Sequence, residues 1–441
     1  MDYRTIETAI PVLGEAKIPS PLQREERGSA ERYFVEDTDR ISIDVNVGNL
    51  QQMLTDGATL PSFELAGPRR KVYFDSSKLR CALVTCGGLC PGLNDIVRSV
   101  VLELYFGYGV RHVYGIKYGL QGFIPSYGHE VLELDPSAVA SIHEMGGTIL
   151  GSSRGPQDIE GIIDSLERMN IGILFVIGGD GTMMAANKIA DAIFSRKLKI
   201  SVVGIPKTID NDIHLVSRSF GFDTAVDVAT RAIRGAHAEA EGYPNGIGLI
   251  KLMGRHSGFI ATTAALAQQD VNFVLIPEVD FDLEGPKGLF ASIEERLRLR
   301  CHAVIVVAEG AGQKFFEDKN RARDESGNIR LNDIGLYLKD AIASYFTSRK
   351  IDVSIKYIDP SYMIRSLPAN ANDRVFCNFL GRDAVHAGMA GKTKLLIGRW
   401  NNHFVHLSMN ECAGKRKQIN PKEKLWLSVL DATGQGPLKN D

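Results

Sequence analysis

The chain has 441 residues, with 51 Lys plus Arg against 53 Asp plus Glu and a formal net charge of −2. Hydrophobic residues make up 44% and charged residues 24%, which excludes a disordered chain, since such chains are poor in apolar residues and strongly charged. With no net positive field to draw in phosphate backbones, a general nucleic-acid binder is excluded as well.

Residues 1–75 read as an N-terminal extension of turns and loose packing. It is charged and polar between Pro19 and Arg40 and includes the run Arg24-Glu25-Glu26-Arg27. From Lys78 onward, short apolar runs alternate with helical patterns. Strands are predicted at 80–85, 110–116, 172–177 and 200–205, and helices at 96–104, near 135–143, at 157–169 and at 183–194. Phe222, Ala225, Val226, Ala229, Ile233 and Ala236 recur at helical spacing, which predicts an amphipathic helix over 222–241. Asp227, Arg231, Arg234 and His237 lie on its polar face. Further strands are predicted at 246–251, 273–276, 303–308 and 353–357, and a flexible surface loop at 320–332. Strands alternating with helices imply a doubly wound α/β fold, whose ligands bind at the carboxyl ends of the strands.

Glycine clusters follow several of these strands. Cys86-Gly87-Gly88-Leu89-Cys90-Pro91-Gly92 comes after the first and Gly178-Gly179-Asp180-Gly181-Thr182 after the third. Glycine lets a ligand approach the backbone, and successive N–H groups can cradle phosphate oxygens. A carboxylate inside such a loop suits Mg²⁺, which takes one or two carboxylates plus substrate phosphates. Pro206-Lys207-Thr208-Ile209-Asp210-Asn211-Asp212 is dense in polar groups, and one Asp there can accept a proton from a substrate hydroxyl. Met253-Gly254-Arg255 offers an anion grip.

Other chemistries find no support. The Walker A pattern and the opening G-x-G-x-x-G of a nicotinamide enzyme are missing. No His and Cys cluster has metal-ligand spacing, and His403 and His406 read as surface or core histidines. The six cysteines are too scattered for a disulfide framework, which points to a reducing compartment. Met1 to Glu7 lacks a signal-like apolar core, and runs such as Ile171–Ile177 fall short of the roughly 20 residues of a membrane helix. The expectation is a cytoplasmic protein with no membrane partner.

In this order, the four polar loops resemble those of the phosphofructokinase family, over about residues 78–436. The run 206–212 followed by Met253-Gly254-Arg255 is the most specific part of the match. Pro277-Glu278-Val279 and the stretch 356–365 extend it toward the longer ATP-dependent enzymes of plants, some protists and some bacteria. The resemblance implies two doubly wound, Rossmann-like domains with the active site in the cleft between them. Residues 76–221, completed by about 366–418, would bind nucleotide, and 222–365, completed by about 419–441, would bind sugar phosphate. A homo-oligomer, tetramer or dimer, is implied too.

Residue roles follow from the resemblance alone. Gly88, Arg154, Gly155, Gly179, Asp180, Gly181 and Thr182 match nucleotide contacts, with Asp180 on Mg²⁺. Asp210 matches the general base. Thr208, Ile209, Asp210, Met253, Gly254, Arg255, Glu309, Tyr362, Met363, Ile364 and Arg365 match contacts to fructose 6-phosphate. Gly181 goes with ATP as donor, whereas an Asp there goes with pyrophosphate; Lys207 also occurs in the pyrophosphate enzymes. Gly181 acts by steric room, so ATP is the expected donor, with the pyrophosphate-dependent enzyme or a non-catalytic regulatory subunit as alternatives. Three features depart from the short bacterial enzymes: Gly246-Ile247-Gly248 supplies no cation for the sugar phosphate, Tyr362 stands where those enzymes have a His, and Lys356 stands where they have another Arg.

Overall fold

The computed structural model describes residues 6–23, 34–316, 322–323 and 329–440. The chain divides into two compact units. Unit 1 holds residues 1–208, 213–221 and 366–416; unit 2 holds 209–212, 222–365 and 417–441. The early strands are β1 (Ile18–Pro19), β2 (Arg40–Ser42), β3 (Ser62–Leu65), β4 (Lys71–Val72) and β5 (Arg80–Thr85). β6 (His112–Ile116), β7 (Val131–Glu133), β8 (Ile173–Gly178) and β9 (Ser201–Pro206) follow. Unit 2 supplies β10 (Gly246–Leu252), β11 (Phe273–Leu275), β12 (His302–Ala308) and β13 (Ser354–Ile358). β14 (Leu395–Trp400) and β15 (His403–Ser408) return to unit 1.

Unit 1 is built on a nine-stranded sheet in the order β2-β3-β15-β14-β9-β8-β5-β6-β7. The run from β14 through β9, β8 and β5 to β6 is parallel, and both margins are antiparallel. β8 and β9 are buried at every position. That is why they read as unbroken apolar runs and not as alternating strands: helices cover both faces of a parallel sheet. From β5 the chain moves outward to β6, and from β8 it moves the opposite way to β9. The two neighbours therefore form a topological switch point, where loops at the carboxyl ends diverge and leave room for a ligand.

Unit 2 repeats the device with four parallel strands in the order β11-β12-β10-β13. β10 connects across β12 to β11, and β12 connects across β10 to β13, so this switch point lies between β10 and β12. Its own core gathers Leu249, Ile305, Val307, Ile293, Leu338 and Phe346. Each unit is thus an α/β layer structure, as the alternation of strand and helix implies. The helix Phe222–Glu241 has the bounds that its apolar spacing predicts.

Several expectations need correction. Residues 34–75 are not loosely packed. β2 and β3 join the large sheet through β15, and β1 pairs with β4. Glu64 on β3 lies at 2.7 Å from both Arg69 and Lys392, and accepts from His406 at 2.9 Å. Asp37 completes the cluster, at 2.9 Å from Arg69 and 3.0 Å from Lys392. Local charge suggested looseness here, but the charges join a network centred on buried Glu64, two of whose members, Lys392 and His406, lie more than 300 residues away in the chain.

No helix spans 135–143. Asp135 accepts the N–H of Ala138 in a turn, and only one 3₁₀ turn forms at Ile142–Glu144 before Gly146 and Gly147. The helix predicted from 96 starts at Leu93 and ends in a wider π-type turn over Glu103–Tyr108. The run 24–27 lies outside the described residues, as does most of the predicted loop 320–332; within that loop Arg323 and Ile329 form an antiparallel bridge. Among the described residues, no helix is long and apolar enough to cross a membrane.

Candidate functional site

In unit 1 the loops after β5, β8 and β9 converge. Gly87 has φ +82° and donates its N–H to Ser153, while the Ser152 hydroxyl donates to the Gly87 carbonyl at 2.5 Å. These bonds fasten the loop carrying Arg154 and Gly155 beside Gly87 and Gly88. Lys207, at the end of β9, is buried, and its Nζ donates to the Gly88 carbonyl at 2.6 Å. A Cβ on Gly178 would come within 2.4 Å of the Thr182 side chain, so only glycine fits this tight strand-to-helix turn.

The turn opens directly into the helix Asp180–Ser195. Asp180 lies in its first turn, where the helix dipole favours a carboxylate, and accepts the N–H of Gly414 at 2.6 Å. Gly181 is exposed, and a Cβ there would meet nothing within 4 Å. The Asp180 carboxylate, with open space beside it, fits Mg²⁺, which takes one or two protein carboxylates and completes its shell with substrate phosphates and water.

In unit 2, Asp210 is joined by the loops after β10 and β12. The N–H of Arg255 hydrogen-bonds to the Asp210 carboxylate, and the Ser257 hydroxyl donates to its carbonyl at 3.2 Å. Glu309 donates its N–H to Leu252, and Gly310 donates to Gly254. A Cβ on Gly310 would reach 2.0 Å from the Arg255 carbonyl, so glycine permits this close approach. Burial pushes the Asp210 carboxyl up to about 7, helped by the charges of Asp212 and Glu309 and opposed by Arg365. Burial also raises Glu309, against the pull of Arg365, Arg255 and Lys251.

Asp359 sets the helix that carries Tyr362 and Arg365. It accepts from the Ser361 N–H and is held by Lys251 at 2.8 Å. Lys251 also pairs with Asp333 at 2.7 Å. Arg255 donates to the Ile329 carbonyl at 2.9 Å.

The structure separates the expected contacts by kind. Tyr362 and Met363 are strongly exposed. Ile209, Met253 and Ile364 are buried. Lys356 has partners of its own in unit 2. Its Nζ lies 3.9 Å from Glu239 and 4.4 Å from the Tyr243 ring centroid. Thr208 is partly buried, and its carbonyl accepts from the Ser219 hydroxyl.

Sequence reasoning missed Lys417. Its N–H donates to the Asp212 carbonyl at 2.8 Å and its Nζ lies 4.9 Å from the Phe259 ring centroid. Burial brings its ammonium down to about 8, against the opposing charge of Asp212. Glu278 was also missed as a support: its Oε1 accepts from the N–H groups of Gly258 and Ile419. The only sequence signal for Lys417 is the basic run Lys415-Arg416-Lys417.

Glycine-rich turns and carboxylates at the switch points of two α/β sheets define a protein built to bind phosphorylated ligands. The family model described as Phosphofructokinase matches residues 80–388. The chain belongs to the phosphofructokinase family. An ATP-dependent 6-phosphofructokinase of Borreliella burgdorferi is 48% identical over 98% of this chain and 97% of its own. ATP-dependent 6-phosphofructokinase 1 of Arabidopsis thaliana is 44% identical over 95% of this chain and 87% of its own. The expected resemblance to the longer bacterial and plant enzymes is borne out. In fold, the chain is similar to a pyrophosphate-dependent phosphofructokinase from Marinobacter aquaeolei, with a TM-score of 0.66, 19% identity and 81% and 91% of the two chains covered.

Proposed function

We propose that this chain is an ATP-dependent 6-phosphofructokinase, transferring the γ-phosphoryl of ATP to the 1-hydroxyl of fructose 6-phosphate. The observation that carries this reading is Asp210, a carboxyl raised to about 7 by burial and by Asp212 and Glu309, with Arg365 opposing. A base poised near the working pH is what abstraction of a hydroxyl proton needs. As the sugar oxygen bonds to the γ-phosphorus and the bond to ADP breaks, Asp210 takes the hydroxyl proton. Arg255 and Arg365 grip the sugar phosphate, and Glu309 accepts from sugar hydroxyls.

On the donor side, Gly88, Gly179 and Thr182 line the phosphates, and Arg154 and Gly155 contact the nucleotide. Asp180 would hold Mg²⁺, which would supply neutralisation of charge on the transferring phosphoryl group. The room beside Gly181 supports ATP as donor. Lys207 donates to the Gly88 carbonyl and so positions the loop whichever donor binds. Nucleotide binding is assigned to residues 76–221 with about 366–418, and sugar-phosphate binding to 222–365 with about 419–441; these segments fall largely in unit 1 and unit 2 respectively. A cytoplasmic homo-oligomer, tetramer or dimer, completes the reading.

Initial rates of fructose 1,6-bisphosphate formation with Mg²⁺, and with ATP or pyrophosphate as sole donor, test it. Turnover with ATP alone is expected. Turnover with pyrophosphate alone overturns the donor assignment, and turnover with neither overturns the enzyme.

A further inference from the structure

The helix Phe222–Glu241 places His237 and Glu241 one turn apart on one face. His302 is the first residue of β12, at the opposite end of that strand from Ala308 and Glu309. The Nε2 atoms of His237 and His302 lie 3.3 Å apart, and Oε1 of Glu241 lies 3.5 Å from Nε2 of His237. All three potential ligand atoms fall within 4.8 Å of one another.

The outer nitrogens decide what the inner ones carry. Nδ1 of His302 is 3.1 Å from the Arg300 carbonyl, which can only accept. A proton on Nδ1 satisfies that carbonyl and leaves Nε2 to face inward. Nδ1 of His237 faces Oδ2 of Asp270 at 3.6 Å, and Gln268 holds that carboxylate by a 2.6 Å hydrogen bond. A carboxylate behind a histidine is the usual outer partner of a metal-binding imidazole, fixing its tautomer and orientation. The two facing Nε2 atoms at 3.3 Å need either one shared proton or a positive centre between them. Zinc–nitrogen bonds of about 2.0–2.1 Å in tetrahedral geometry put neighbouring ligand atoms about 3.3–3.4 Å apart, which is the spacing found here.

We propose that His237, Glu241 and His302 bind a divalent transition-metal cation of the zinc class, with water in the fourth position and Asp270 as the outer positioning residue. Two imidazoles and a carboxylate select zinc or cobalt over magnesium, which prefers oxygen alone. The site is chemically distinct from the surroundings of Asp180, and the ion would tie the end of a long helix to the start of a central strand of unit 2.

The test uses the full chain, stripped with EDTA, dialysed and held in excess Mg²⁺ to occupy oxygen sites. It is titrated with Zn²⁺ against a chromophoric chelator, and with Co²⁺ to read the visible spectrum of tetrahedral coordination. One Zn²⁺ per chain is expected, weakened about 100-fold by His302→Ala and about 10-fold by Asp270→Asn. Glu241→Gln, at an exposed position, serves as the second ligand variant, and circular dichroism checks the fold of each. Failure of the wild-type chain to take up zinc overturns the site and leaves an imidazole pair sharing a proton. Unchanged affinity in both His302→Ala and Glu241→Gln also overturns it, since the metal then sits elsewhere.

Discussion

The ammonium of Lys207 is hydrogen-bonded at 2.6 Å to the carbonyl oxygen of Gly88, joining the end of β9 to the loop after β5. The side chain is buried, so this contact is shielded from water and salt. A hydrogen bond from a charged donor contributes about 1.5–3 kcal/mol. Lys207→Met is expected to lower kcat/KM for ATP by roughly 10- to 100-fold. Steady-state kinetics at saturating fructose 6-phosphate measure it; an unchanged value would remove Lys207 from the positioning of the loop.

Asp210 couples activity to stability with opposite signs. Its folded pKa, about 7, is raised above the reference value of 3.8. Its contribution to stability is therefore fully present below pH 3.8 and lost as pH rises through 7. Asp210→Asn, which cannot ionise, is expected to lower turnover about 100-fold or more and to raise the melting temperature by a few degrees at pH 8. Near-wild-type turnover would sink the general-base role.

Asp212 is the largest charged contributor to the raised pKa of Asp210. Removing it lets Asp210 ionise more readily, so Asp212→Asn is expected to shift the acid limb of the kcat/KM profile down by about one pH unit. A pH–rate profile with an unmoved acid limb would show that the two carboxylates are not electrostatically linked in the free enzyme.

Gly181 sits in open space in the first turn of its helix. An Asp there strains no contact, and a carboxylate in that turn is mildly stabilising. Gly181→Asp is thus expected to leave the unfolding free energy within about 0.5 kcal/mol of wild type. Its kcat/KM for ATP should fall about 100-fold, through repulsion and lost room. Thermal melts alongside kinetics check the pair; a drop in both would mean the fold was damaged and not the donor site.

Glu64 holds two buried cations and a buried histidine. Those partners push its carboxyl well below the usual range despite burial. Glu64→Gln leaves Arg69 and Lys392 without that charge and is expected to cost about 3–5 kcal/mol, read by urea denaturation at pH 7. Because the folded pKa is depressed, this stability is present above the reference value of 4.5 and fades as pH falls below it. A variant equal in stability to wild type at pH 7 would mean Asp37 alone balances the cluster.

Much of the fold is legible because its central strands are covered on both faces and so appear as apolar runs. β5, β8 and β9 fall within a residue of their predicted bounds. The glycine turns are legible for a local reason too: crowding at Gly178 and Gly310 excludes any larger residue. What stays hidden depends on distant partners. β2 and β3 are short and mostly polar, and become strands only because β15 offers an edge. His237 and His302 are 65 residues apart, and no spacing rule relates them. Lys417 stands in a basic run that looks like solvated surface until burial and Asp212 are seen.

β3 bonds to β2 on one side and to β15 on the other, so β2 and β3 join the large sheet only through residues 403–408. During synthesis β2 and β3 can pair with each other, but the edge of the large sheet they join is not made until nearly the whole chain has left the ribosome. Closing so long a loop is entropically slow, which makes this pairing a late event in folding. Until then β2 and β3 are exposed segments that need a chaperone or their own charges to keep them from pairing with another chain.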